Sequence, residues 1–123
     1  MRPVIVLAKK IGRESCRAGF ADYVNKLSKK VFYSHGFIST ESYWKCWDFT
    51  AGFENKAHIC DDLLGQQFPT LITISQWTSQ NDWERWYYSK DRANIKKSFA
   101  DDIELEHFTI LTKRIKPNDM FLL

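Results

Sequence analysis

The chain has 123 residues, which is enough for one ordinary domain with a single core and too few for two. Its composition is that of a folded protein, with 44% hydrophobic, 27% charged and 15% aromatic residues. The formal net charge of +3 is spread over short lysine and aspartate pairs, which excludes the concentrated basic stripe of a nucleic-acid-binding protein.

Three cysteines, Cys16, Cys46 and Cys60, cannot all pair within one chain. Unpaired thiols are typical of a reducing compartment. The N-terminal apolar run, residues 4–8, is far shorter than the core of a signal peptide or a membrane span. The sequence therefore predicts a cytoplasmic protein without a membrane segment.

The first two predicted elements are a strand and a helix. PVIVLAKK, from Pro3, is short and rich in β-branched residues, as expected of a central strand. Ser15 offers an N-cap to the helix, which we expect to end near His35 with Gly36 in the left-handed conformation. The apolar face of the helix repeats at steps of four, three and four residues: Phe20, Val24, Leu27 and Val31.

The following segments predict strands on either side of a second helix. FISTESYWKCW, from Phe37, and TLITISQW, from Thr70, are rich in β-branched and aromatic residues. Ser79 then provides an N-cap, and a second capping signal occurs at Ser89. ELEHFTILTKRIK, from Glu104, alternates well enough for a last strand.

The element order is β-α-β-β-α-β, which predicts a ferredoxin-like α+β fold with an antiparallel four-stranded sheet. We expect a single domain over residues 1–123. Residues 48–68 are too many for a plain hairpin and form an insertion between strands two and three. The tail, residues 117–123, ends in MFLL, and we expect these apolar residues to dock on this domain or on a partner.

The segment 75–92, SQWTSQNDWERWYYSKDR, contains three of the five tryptophans. Together with HGFIST before the second strand, it resembles the antibiotic biosynthesis monooxygenase domain, which shows this run of residues in order: Trp77, Ser79, Trp83, Trp86, Ser89 and Arg92. The resemblance implies a homodimer whose two sheets form an α+β barrel, with a cavity between helices and sheet in each subunit. Relatives include cofactor-independent oxygenases, haem-degrading enzymes and members with no known activity.

Cofactor-independent oxygenation of an aromatic or polycyclic ligand requires aromatic walls, a donor for a developing oxyanion and a base. The candidate wall residues are Trp86, Trp83, Trp77, Trp44 and Tyr43. Arg92 or a Tyr hydroxyl is the candidate donor, and His107 is the candidate catalytic base, with His35 as another candidate for that role. No metal or organic cofactor is needed. The alternative is a non-catalytic ligand-binding or structural dimer in which Trp83 and Trp86 are simply core, with no void.

Three other kinds of site are disfavoured. In the haem-degrading branch of the resembled family, a histidine follows the helical Trp by nine residues, but Ile95 follows Trp86 here, and the first strand has no Asn. A metal site lacks a second ligand pair, although four candidate ligands occur near one another in sequence: Cys46, His58, Cys60 and Asp61. An RNA-binding sheet would need aromatic residues on the first strand, which is aliphatic.

Overall fold

The computed structural model describes residues 2–14, 16–45, 51–52 and 69–112. Within these ranges the strands are β1 (Val4–Gly12), β2 (Phe37–Trp44), β3 (Thr70–Trp77) and β4 (Ile103–Thr112). The helices are α1 (Arg17–Val31), α2 (Gln80–Tyr87) and α3 (Lys90–Ser98), and a short 3₁₀ turn, Ala100–Asp102, leads into β4. The predicted α+β order is confirmed, except that the second helical segment consists of two short helices.

The four strands form one antiparallel sheet in the order β2-β3-β1-β4. β1 is therefore central and pairs with a strand on each side. Ala8, for example, lies opposite Thr73 on β3 and Phe108 on β4. This is the predicted ferredoxin-like topology, in which helical connections cover one face of the sheet.

The alternation of side chains along β1 separates the two faces of the sheet. Val4, Val6, Ala8 and Lys10 are buried on the face that the helices cover. The intervening residues are only half-buried and point to the opposite face, because successive side chains of a strand point in opposite directions. We call this opposite face, which carries Ile5, Leu7, Lys9 and Ile11 on β1, the open face.

Helix α1 packs on the sheet through Phe20, Tyr23, Leu27 and Val31, which are all buried. The predicted apolar face is thus present, although Tyr23 is more deeply buried than Val24. The predicted N-cap, Ser15, lies outside the described residues, and Cys16 precedes the helix without a side-chain cap.

Helix α1 ends at Val31, earlier than predicted, because the chain tightens into a turn. The amides of Tyr33 and Ser34 donate to carbonyl groups only three residues back, those of Lys30 and Val31. Gly36 does adopt the left-handed conformation, with φ of 82°, but it introduces β2 rather than closing the helix. Its carbonyl group accepts a hydrogen bond from the Thr78 amide.

Both predicted caps in the second half are present. The Ser79 hydroxyl accepts from the Asp82 amide at 3.2 Å, and the Ser89 hydroxyl accepts from the Arg92 amide at 3.2 Å. The cap at Ser89 begins a new helix after α2 ends at Tyr87, so the chain changes direction between them. This break is why one predicted helical segment becomes α2 and α3.

Apart from residues 51–52, the predicted insertion lies outside the described residues, as does the apolar tail. Among the described residues, no helix is both long and apolar enough to cross a membrane. The cytoplasmic location stays a prediction from the sequence.

Gly36 and Gly52 both have positive φ, but their surroundings differ. A Cβ atom at Gly36 would overlap the Asp82 carboxyl group, whereas one at Gly52 has no heavy atom within 4 Å. We expect Gly36→Ala to lower the free energy of unfolding by about 2–4 kcal/mol, and the control Gly52→Ala by about 1 kcal/mol. Urea denaturation followed by circular dichroism measures both, and equal losses would contradict the steric role of Asp82.

Candidate functional site

A cavity of about 60 Å³ lies between the covered face of the sheet and the helices. This volume corresponds to about four or five water molecules, so it suits a ligand near the size of one aromatic ring. All of α1, α2, α3 and the four strands contribute to its lining: Val6, Ala8, Lys10, Val24, Leu27, Ser28, Val31, Thr40, Thr73, Ser75, Trp77, Trp83, Trp86, Arg92 and Phe108. A void therefore exists beneath the second helical segment.

Three of the five predicted wall residues line this cavity. Trp77 is fully buried, and its indole N–H donates to the Ser75 hydroxyl at 2.9 Å, so its polar atom is satisfied. Trp83 packs against the ring of Phe108, with centroids 5.4 Å apart. Trp86 contacts the hydrophobic clusters on both sides of the cavity. The three tryptophan rings therefore belong to the hydrophobic core and also line the cavity.

The other two predicted wall residues lie elsewhere on β2. Trp44 is 39% exposed and packs edge to face on Phe20, with centroids 5.9 Å apart. Tyr43 is 52% exposed, and its hydroxyl donates to Glu41, which raises the pKa of Tyr43. Neither side chain lines the cavity.

The two predicted catalytic residues are on different sides of the sheet. Arg92 is buried and lines the cavity. His107 is exposed on β4, where it pairs with Lys9 and so belongs to the open face. Within one chain the structure does not bring His107 and Arg92 together. His35 is also outside the cavity, and its side chain is 76% exposed beside Asp82.

The strongest polar feature of the cavity is Lys10, which the sequence reasoning missed. Its residue is only 7% exposed, and within the described ranges its ammonium group makes no hydrogen bond or salt bridge. It lies 5.5 Å from the centre of the Phe108 ring. Burial lowers the pKa of Lys10 from 10.5 to about 8, with Glu106 raising it and Arg92 lowering it further. The amine can therefore gain or lose a proton near neutral pH.

Glu106 lies opposite Lys10 on the same face of the sheet and is the centre of a buried polar cluster. This cluster was not predicted from the sequence. One carboxylate oxygen accepts from Arg92 Nη2 at 2.9 Å. The other accepts from the Tyr23 hydroxyl at 2.9 Å and lies 3.4 Å from Lys96 Nζ. Burial and then the Glu106 charge raise the pKa of Tyr23, so it remains a protonated donor. The cluster holds the Arg92 guanidinium above the Tyr87 ring, 4.5 Å from its centre.

The position of Lys10 in the interior could have been inferred from the sequence. Lys9 and Lys10 are adjacent in a predicted central strand, so one of them must point to the covered face. The alternation that buries Val4, Val6 and Ala8 assigns that position to Lys10. A buried lysine is rare unless it is paired or functional, which marks the position as a candidate site residue.

A second depression, of about 190 Å³, lies along the outer edge of α2. Its polar lining comprises Ser34, His35, Asp82, Arg85 and Ser89. Asp82 is hydrogen-bonded by the hydroxyls of Thr78 and Ser79, and the Thr78 bond is the main reason that the pKa of Asp82 is lowered. His35 Nε2 and Arg85 Nη1 lie 3.8 and 3.7 Å from the same carboxylate. This network joins α2 to the Gly36 turn, so we interpret it as structural.

The part of the chain that the structure describes contains no group of three or more His, Cys, Asp or Glu side chains that could hold a metal ion. The four residues considered as metal ligands in the sequence, Cys46, His58, Cys60 and Asp61, lie outside that part. Ile95 replaces the histidine expected for haem degradation and packs with Tyr23, Leu27 and Ile103. It has no iron-ligating atom, so the residues present do not fit a haem held in that way.

Comparison with solved structures places this geometry in a known fold. SnoaB, a cofactor-independent oxygenase from Streptomyces nogalater, superposes with a TM-score of 0.63 at 9% identity, covering 95% of this chain and 98% of SnoaB. The chain has the antibiotic biosynthesis monooxygenase fold. A putative antibiotic biosynthesis monooxygenase from Nitrosomonas europaea gives a TM-score of 0.63 at 7% identity, covering 91% of this chain and 90% of the other.

A protein from Mycobacterium tuberculosis, Rv0793, is similar to the same extent, with a TM-score of 0.64 at 14% identity over 94% of this chain and 98% of that one. No protein-family model and no curated protein sequence matches the chain. The chain therefore shares the fold of these proteins. The resemblance inferred from residues 75–92 is confirmed for the fold.

Lys10 should destabilise the fold at neutral pH. Burial lowers the pKa of Lys10 from 10.5 to about 8, so the unfolded chain binds the proton of the Lys10 ammonium more tightly than the folded protein does. The resulting loss of folding stability is complete below pH 8 and disappears as the pH rises to 10.5. We expect Lys10→Met to raise the free energy of unfolding at pH 7 by about 2–3 kcal/mol, and less at pH 10. Urea denaturation at both pH values measures this difference.

The control is Lys97→Met, which changes an exposed lysine of α3 and should alter stability by about 0.5 kcal/mol or less. A Lys10→Met variant that is less stable than the wild type at pH 7 would show that the ammonium has a stabilising partner.

Proposed function

We propose that this protein is a small monooxygenase-type enzyme that binds an aromatic ligand in the cavity between helices and sheet and oxygenates it without a metal or organic cofactor. The observation that carries the proposal is a void with tryptophan walls that contains a buried amine and a buried guanidinium. The fold shared with SnoaB, a cofactor-independent oxygenase, supports the same reaction type. The cavity volume favours a ligand of about one ring, and a polycyclic ligand would require the walls to move.

The proposed chemistry starts with loss of a proton from an electron-rich C–H or O–H group of the ligand. The resulting anion transfers an electron to dioxygen, and the two radicals combine to a peroxide anion. Protonation and loss of water then leave one oxygen atom on the ligand carbon as a carbonyl group. The protein's part is to hold the anion out of bulk water and to stabilise its charge, for which Arg92 is positioned at the cavity wall.

A non-catalytic ligand-binding protein of the same fold is the alternative. The ion pair between Arg92 Nη2 and Glu106 favours it, because a guanidinium held at 2.9 Å by a carboxylate has less freedom to serve a developing oxyanion. Ligand binding without oxygen consumption would support this alternative.

We also propose that the protein is a homodimer that buries the open face of each sheet. This face carries a run of apolar side chains on three strands, among them Leu7, Ile72, Ile74, Leu105 and Leu111, of which the two on β4 are more than 40% exposed. An apolar sheet face of this kind favours association over exposure to water. A second copy of the same face is its simplest complement, as in a closed two-sheet barrel.

Filling the cavity should abolish the activity while keeping the fold. Ala8 lines the void and is 4% exposed, so Ala8→Val adds two methyl groups inside it. With a panel of single-ring and polycyclic phenols, we expect oxygen uptake by the wild type and a loss of about 100-fold or more in Ala8→Val, because a displaced ligand loses the reactive geometry. An oxygen electrode measures the rates, and thermal denaturation confirms that the variant folds.

The matched controls change the opposite face. Thr109→Val is isosteric and lies on the open face opposite Leu7, so it should keep full oxygen uptake. His107→Gln should do the same if the cavity is the site, whereas a loss would indicate that His107 is the base, acting from the open face. Uptake that persists in Ala8→Val would rule out the cavity as the site.

The proposed dimer can be tested by placing a charged side chain in the open face. Leu7→Glu places a carboxylate in the middle of the open face and should convert a dimer into a monomer, since an unpaired charge in an apolar interface is strongly unfavourable. The control is Tyr33→Glu, at a position 90% exposed in the turn after α1, which should leave the dimer intact. Sedimentation equilibrium measures the mass, and a wild-type monomer at high concentration would contradict the dimer.

A further inference from the structure

We propose that Lys10 is a specificity-determining residue that binds the ionised hydroxyl group of the ligand, so that the cavity selects acidic phenols in their phenolate form over neutral aromatic compounds. This inference rests on the proposed aromatic site and names the charge of its ligand. It follows from where the charges of the cavity are and which of them are already paired.

Lys10 reaches the cavity from the middle of the sheet. It is on the central strand, 7% exposed, and its ammonium lies 5.5 Å from the Phe108 ring centre. Two charged groups act on it from neighbouring elements: Glu106 on β4 and Arg92 on α3. Of these two groups, only Glu106 has the charge that could neutralise the ammonium.

Both oxygens of Glu106 are already engaged. Arg92 Nη2 donates to one oxygen at 2.9 Å, and the Tyr23 hydroxyl donates to the other at 2.9 Å. Lys96 adds a second positive charge 3.4 Å from that second oxygen. Since Arg92 alone balances the carboxylate, the protonated Lys10 is a surplus positive charge inside the fold.

Two of the four hydroxyl groups that line the cavity, those of Ser75 and Thr73, are hydrogen-bonded to neighbouring side chains. Ser75 accepts from Trp77 at 2.9 Å and lies 3.5 Å from the Val6 carbonyl oxygen, while Thr73 shares a hydrogen bond of 3.0 Å with Ser42. Each hydroxyl oxygen has two lone pairs, so these groups can help to solvate the ammonium, but none of them carries a charge that would neutralise it. No fully enclosed side-chain nitrogen or oxygen of the described residues lacks a hydrogen-bond partner, so the Lys10 ammonium reaches the open space of the cavity. A ligand anion in that space would supply the counter-charge that Glu106 does not.

The missing partner has a definite chemistry. It must carry one negative charge, and the rest of it must be flat and apolar, because Trp77, Trp83, Trp86 and Phe108 form the walls. A carboxylate requires donors for two oxygens, whereas a phenolate has a single oxygen that one ammonium can satisfy. The pKa of Lys10, about 8, lies near that of an acidic phenol, so a proton can pass between them at little cost.

The experiment uses 4-nitrophenol, which ionises near neutral pH and whose phenolate absorbs visible light. Spectra of the protein-bound probe are recorded as a function of pH. We expect the apparent pKa of the bound probe to be lower than that of the free probe, because the ammonium stabilises the phenolate. This measurement needs only the wild-type protein, and an unchanged or raised apparent pKa would overturn the inference.

Two variants and two further probes sharpen the result. Lys10→Met should weaken binding of the phenolate by about tenfold or more, while Lys9→Met, at the neighbouring position on the open face, should leave it unchanged. Nitrobenzene, which has no ionisable group, should bind both variants and the wild type alike. Benzoate tests the alternative anion and should bind more weakly than the phenolate; tighter binding would overturn the preference for phenols.

The outcomes separate this inference from the proposed site. If nitrobenzene and 4-nitrophenol bind in a way that Ala8→Val blocks but Lys10→Met does not affect, the aromatic site holds and the role of Lys10 is wrong. If neither probe binds, both the site and the role of Lys10 are wrong.

Discussion

β1 is one of the two inner strands of the sheet, and its pairing controls which residues form the core. Because β1 pairs on both sides, its register with β3 and β4 fixes which side chains face the helices and which face outward. A shift of one residue would exchange Lys9 with Lys10 and would turn the valines out of the core. The covered face, the cavity and the open face are all consequences of this one register.

The polar interior shows how charge is tolerated in this fold. Glu106 is stable inside because Arg92 and Tyr23 satisfy its two oxygens, at 2.9 Å each. Lys10 has no such arrangement, and its lowered pKa reflects this difference. Core residues usually serve packing, so a buried charge that lowers stability is better explained by a ligand than by the fold. The cavity and the unpaired amine therefore support one interpretation.

Much of the architecture was predictable because local physical rules agree with the global fold. Ser79 and Ser89 cap helices as predicted, since a hydroxyl can bond the third amide of a helix wherever the chain turns. The helix α1 was predicted too long, because its end depends on the turn that joins Gly36 to Thr78, a contact between residues distant in sequence. Helical spacing predicted that Trp83 and Trp86 face the interior. It could not show whether they fill the core or line a cavity, because both positions lie on the same inward face of the helix.

The order of elements, the apolar face of α1, the caps at Ser79 and Ser89 and the fold class could all be read from the sequence, because hydrophobic periodicity and hydrogen-bonding side chains act over a few residues. Which polar residues enter the interior depends on contacts between elements that are distant in sequence. His107 and Glu106 are neighbours in sequence, yet one is exposed on the open face and the other is buried against Arg92. Likewise, Lys10 faces the cavity and Lys9 faces away from it. A candidate site forms where side chains from separate strands and helices come into contact. Those contacts depend on the pairing of strands that are distant in sequence, which local sequence patterns do not specify.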